Sequence, residues 1–141
     1  MPNLYHPFDS RLEHRALGSA AITATATLGT ITERAAQRTC YLTRVQLEAI
    51  KISANDEIYQ VVVELSNDSF STVEVAAMCD FGATEVRQSG APDSAAGDYA
   101  ELMWCTEKNG VKYSASRIRV ITDGTSETIT LGCWSTIMPG F

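Results

Sequence analysis

The amino-acid sequence predicts an all-β domain: a two-sheet antiparallel sandwich or jelly roll of eight or nine strands, behind an extended N-terminal arm. Three observations predict it. Apolar and polar residues alternate over short successive runs, the period of a strand with one buried face. Clusters of Gly, Asn, Asp, Ser and Pro interrupt these runs every ~8–12 residues, the rhythm of sandwich folds. No long segment carries a helical period. Residues 1–18 are expected to form the arm and residues 19–141 the body. A chain of this length is one domain and buries roughly 65–70% of its unfolded surface without needing staples.

Residues 1–17 contain Pro2, Asn3, Pro7, Asp9 and Ser10 and show neither helical nor strand period. At ~3.3 Å per residue such a segment spans more than ~50 Å when stretched. Gly18-Ser19 closes it. Residues 20–28 alternate strictly, with Ile22, Ala24, Ala26 and Leu28 facing one way and Thr23, Thr25 and Thr27 the other, which predicts the first strand. Residues 30–39 carry Glu33, Arg34, Gln37 and Arg38 and are expected to be a loop or a single helical turn.

Residues 40–52 predict the next strand, with Tyr41, Thr43, Val45, Leu47 and Ala49 on one face. After a turn at Asn55-Asp56, residues 58–65 point Tyr59, Val61, Val63 and Leu65 inward and Gln60 and Glu64 outward. These two strands are placed to pair as a hairpin. Residues 66–69 turn the chain, residues 72–79 form a shorter strand, and Asp80-Phe81-Gly82 ends it as a turn. Residues 84–88 are expected to be an edge strand and residues 89–98 a loop. Residues 99–106 are a strand, Asn109-Gly110 a type I′ hairpin turn, and residues 111–114 its return. Residues 117–122 and 128–137 supply the last strands, separated by Asp123-Gly124-Thr125.

Composition narrows the function. The formal charge of −6 argues against nucleic acid, which needs a clustered surplus of Lys and Arg. No stretch approaches the ~18–20 apolar residues of a membrane helix, so no membrane partner is expected. Residues 16–29 are preceded by Asp9 and Glu13 as well as arginines, which speaks against a secretory leader and for folding in the cytoplasm. Both histidines, His6 and His14, fall in the arm, which leaves the body no imidazole for general-base work or metal ligation. Lys51, Lys108 and Lys112 are the only lysines and are expected to project into water. Carboxylate pairs drawn from Glu64, Glu74, Glu85 and Glu101 fall mostly on solvent faces. The kinase-like tripeptide Asp80-Phe81-Gly82 has none of the companion motifs. The expectation is a protein without catalytic activity, metal or cofactor.

Cys40, Cys79, Cys105 and Cys133 contain no C-x-x-C and no Cys/His pair at ligand spacing, which argues against zinc. Two readings stay open. The thiols are buried small hydrophobes, or some form disulfides, with a link between subunits favoured over a local one. Trp104 and Trp134 lie in strands and suit core or subunit-interface packing better than sugar stacking.

Two segments carry a resemblance. Residues 57–70, EIYQVVVELSNDSF, set a tyrosine before alternating apolar residues and then Ser, Asn, Asp, Ser and an aromatic. In residues 99–125, a strand near Trp104 leads through Asn109-Gly110 to Tyr113, and Arg117-Ile118-Arg119-Val120 then runs toward Asp123-Gly124-Thr125. In these patterns the chain resembles small virion structural proteins of tailed bacteriophages, of the capsid decoration or cement type with a β-sandwich or jelly-roll body. The resemblance implies a non-enzymatic virion protein, made in the host bacterial cytoplasm, that binds and stabilises the capsid lattice as an oligomer, commonly a trimer. Its implied partners are the major capsid protein or other virion proteins. Tyr5 and Phe8 would anchor the arm on neighbours, and Trp104 and Trp134 are further candidates for contacts between subunits. A neck, collar or tail component, or a carbohydrate- or receptor-binding sandwich, are the alternatives.

Overall fold

A computed structural model of the protein describes residues 12–138. Over these residues the chain forms nine β-strands and no α-helix: β1 (Glu13–Arg15), β2 (Ala26–Gln37), β3 (Cys40–Ile50), β4 (Ile58–Ser66), β5 (Glu74–Gly82), β6 (Tyr99–Cys105), β7 (Glu107–Lys108), β8 (Val111–Asp123) and β9 (Ile129–Ile137). They make two antiparallel sheets packed face to face. One, the arm sheet, has the order β1-β9-β3-β6; the opposing sheet has the order β2-β8-β4-β5, with β7 paired to the start of β8.

The pairing is nested. β1 joins β9, β2 joins β8, β3 joins β6 and β4 joins β5, so the chain is one long hairpin rolled into two sheets. That is the strand order of a jelly roll. The expected sandwich or jelly roll is therefore what the chain forms.

The core lies between the sheets. β3 contributes Tyr41, Val45 and Leu47, β9 contributes Ile129, Leu131 and Cys133, and β4 and β8 answer with Tyr59, Val61, Val63, Leu65, Ile118 and Val120. Each fully buried Val or Leu side chain stabilises the fold by about 1.5–3 kcal/mol. β4 is covered on both faces. On its outer face the Glu64 carboxylate accepts from Arg117 Nε at 2.7 Å and Arg119 Nη1 at 3.3 Å, and the Arg117 guanidinium lies 4.5 Å over the Phe70 ring. Glu64, expected on a solvent face, is instead buried beneath two arginines.

Several local expectations change. Residues 20–25 are not a strand; Ile22 makes a single bridge to Ile129, and β2 starts later and runs through the charged stretch expected to be a loop. Pairing with β8 decides this, and the polar side chains of that stretch find partners: Glu33 accepts from Tyr41 Oη at 2.8 Å and from Gln37 Nε2 at 2.9 Å. β3 and β4 do not form a hairpin, because the turn between them crosses from one sheet to the other. Asp80-Phe81-Gly82 belongs to β5, with Phe81 buried opposite Tyr59. Gly82, at φ 147°, passes so close to Glu57 that a Cβ there would stand 2.4 Å from its carbonyl oxygen. Residues 84–88 form turns, not an edge strand, with Arg87 bonded to Asp80 at 3.2 Å and to the Pro92 carbonyl at 2.8 Å. Residues 111–122 form one strand rather than two. Asn109 and Gly110 both take positive φ, as a type I′ turn requires.

Candidate functional site

The segment expected to be an extended arm is partly folded onto its own body. Residues 1–11, including Tyr5 and Phe8, lie outside the described residues. Residues 13–15 are β1, the edge strand that completes the arm sheet. Their weak periodicity hid them, since three residues carry no pattern and what holds them is specific side-chain bonding. Glu13 Oε2 accepts from Trp134 Nε1 at 3.0 Å. His14 Nε2 meets Ser135 Oγ at 2.8 Å. Just beyond β1, the Gly18 amide donates to Glu48 Oε1 at 2.8 Å.

Two glycines shape the seat of this root. A Cβ on Gly29 of β2 would stand 2.4 Å from His14 Nδ1, and one on Gly132 of β9 would stand 2.9 Å from Leu17 Cδ2. His14 thus fills the seam where β9 and β2, one from each sheet, come together. This corrects the expectation of a body without imidazole: a histidine does reach the body, brought there by β1. It cannot act on a substrate through its partner, because Ser135 is fully buried. Burial also holds the His14 pKa below its ordinary value.

Beside the root lies the outer face of the arm sheet. The strand register lays its residues in rows: Leu42 between Thr136 and Met103, Arg44 between Trp134 and Glu101, and Gln46 between Gly132 and Tyr99. Tyr99 and Met103 are each 56% exposed on this face, whereas Ile137, also exposed, has the inward parity of Ser135 and lies opposite Tyr41 at the end of β9. Arg44 lies 4.1 Å over the Tyr99 ring and reaches Glu101 at 3.9 Å, so the polar row braces the apolar ones. β1 runs antiparallel to β9, with Glu13 opposite Trp134 and Arg15 opposite Cys133, so Leu12 lies toward the Ile137 end of β9, while β6 with Tyr99 and Met103 forms the opposite edge of the sheet.

The two tryptophans divide. Trp134 sits half-buried on the outer face, its ring over Gly132. Trp104 faces inward, only 3% exposed, stacked on Tyr41 with centroids 4.7 Å apart. The expectation that Trp104 contacts another subunit therefore fails; it is a core residue.

Cys40 and Cys105, directly opposite each other on β3 and β6, form a disulfide within the chain. Cys79 and Cys133 are free thiols, and burial pushes both pKa values up to about 12. The expected preference for a link between subunits gives way to this local bridge, since nested pairing brings together two cysteines that lie 65 residues apart. The Tyr99-Glu101-Met103-Cys105 alternation marks an outer face, not a buried one. Among the described residues no group of three or more His, Cys, Asp or Glu side chains lies close enough to hold a metal ion, and no helix is long and apolar enough to cross a membrane.

No protein-family model and no curated protein sequence matches the chain. Among solved structures, the chain is similar to one of infectious bursal disease virus, Gx strain, with 8% sequence identity and a TM-score of 0.44. The match covers 89% of this chain and 29% of that one, so the chain spans less than a third of that neighbour's length.

Proposed function

We propose that the protein is a non-enzymatic structural component of a virus particle, an assembly module that binds copies of itself and other particle proteins. Its most specific form is a bacteriophage decoration or cement protein acting on a capsid lattice as an oligomer, a trimer above all. One observation carries the reading: the large apolar side chains of Tyr99 and Met103 stand exposed on the outer face of β6, the open edge strand of the arm sheet. Large exposed apolar side chains on an unpaired edge strand suit contact with another molecule. The segment that precedes β1 carries Tyr5 and Phe8, aromatic anchors that lose little rotamer entropy on docking. The sandwich supplies a rigid platform, and the resemblance of residues 57–70 and 99–125 to phage decoration proteins points to the same role.

Sedimentation and capsid-binding measurements test this with two variants. A chain beginning at residue 12 keeps β1 but lacks the aromatic anchors. The double substitution Tyr99→Ser, Met103→Ser makes the face polar without touching the core. Each is expected to weaken self-association or capsid binding at least about tenfold while the melting temperature changes little, as for loss of interface anchors worth ~1.4 kcal/mol or more. Assembly unchanged in both variants would overturn the reading.

A further inference from the structure

We infer that His14 is a protonation-controlled latch for the arm root: the neutral ring locks β1 onto β9, and the imidazolium lets it go. The inference stands on a hydrogen-bond chain running out of the core. Trp104 Nε1 donates to Thr43 Oγ1 at 2.8 Å. Thr43 Oγ1 and Ser135 Oγ are 2.7 Å apart, and Ser135 Oγ and His14 Nε2 are 2.8 Å apart. An indole N–H can only donate, so the direction of the first link is set. Thr43 Oγ1 keeps one proton, which the neighbouring Ser135 Oγ can accept. Ser135 in turn gives its proton to His14 Nε2. Every proton in the chain is used only if Nε2 presents a lone pair, which is the neutral ring with its hydrogen on Nδ1.

Charging the ring reverses the outer links. An Nε2–H donor turns the Ser135 hydroxyl back toward Thr43, and the Thr43 proton is then left without a partner. Thr43 and Ser135 have no exposure to solvent, so that stranded hydroxyl has no water to turn to.

None of the charged groups on the surrounding strands compensates. On β1 itself, Glu13 is engaged by Trp134 and the Arg15 guanidinium donates to the Ala20 carbonyl. β9 offers the buried Cys133 thiol. On β2, Glu33 accepts from Tyr41 and Gln37, and Arg34 is exposed. On β3, Glu48 accepts from Gly18. No carboxylate bonds the ring. Burial accordingly holds the docked His14 below its ordinary pKa of 6.5. The docked state binds the proton less tightly than the released one, so the ring's contribution to docking is fully present above 6.5 and is lost as pH falls from 6.5 toward the depressed value. Over that window the docking equilibrium weakens about tenfold per pH unit.

The latch works within one chain and does not depend on the assembly reading. NMR on the full-length protein tests it, following the ring signals of the two histidines and the amide signals of β1 from pH 8 to 4.5. His14 is expected to titrate below 6.5, with the β1 amides moving to released positions over the same range. In His14→Gln a carbonyl oxygen accepts the Ser135 proton without titrating, so β1 is expected to stay docked throughout. A His14 midpoint at or above 6.5, β1 amides that do not respond, or the same pH profile in His14→Gln would overturn the latch. Should that variant fail to fold, the ring titration and the β1 amides of the unmodified protein decide alone.

Discussion

β4 and β1 are opposites within one fold. β4 has nine residues, pairs on both sides, and is covered above and below. Its four inward side chains are all without exposure, and its one outward carboxylate is clamped by two arginines. β1 has three residues, pairs on one side only, and is held by a glutamate, a histidine and the fit of Gly29. Apolar burial holds β4, so only unfolding of the domain releases it. A few polar bonds hold β1, so local opening suffices. A rigid body with a separable edge suits the proposed attachment to other molecules through the N-terminal segment.

The largest effect expected from a single change lies in β4. Leu65→Ala should cost about 2–5 kcal/mol, read as a lower midpoint in urea, because it leaves a cavity in a fully packed core. Opening the Cys40–Cys105 bridge by replacing both residues with serine should cost about 2–4 kcal/mol, given the loop it closes, and should show as a lower melting temperature. Glu64→Ala should cost less, about 1–3 kcal/mol, since it strands two arginines that are only partly buried and that water can reach.

Gly29→Ala sharpens the comparison from the other side. Its methyl group would occupy the place of the His14 ring. Global stability should fall by less than about 1 kcal/mol, as expected for a site whose loss releases only an edge. The β1 amides should nevertheless lose protection. A fall as large as that of Leu65→Ala would mean that β1 is part of the cooperative core.

The same contrast explains what could be read from the sequence. Alternation in residues 40–52 and 58–65 marked Tyr41, Val45, Leu47, Tyr59, Val61, Val63 and Leu65 as core, and all are buried. Asn109-Gly110 marked its own turn. Nested pairing was illegible, because alternation shows which face is buried but not which strand lies alongside. Hence β3 and β4 seemed hairpin partners, and Cys40 and Cys105 seemed unrelated. β1 was illegible for another reason: its attachment rests on Gly29, Trp134 and Ser135, which are distant in sequence and individually unremarkable. Strict threonine alternation misled at residues 20–25, where the pattern is present and the pairing partner is not.

Residue-resolved hydrogen exchange of the native protein at pH 7 tests the separation of edge from body most directly. The amides of β4 should exchange only with global unfolding. Those of β1 should exchange faster by roughly two orders of magnitude or more, as expected for a locally opening unit. Equal protection of β1 and β4 would contradict the account, for it would make the arm root as inseparable from the sandwich as its central strand.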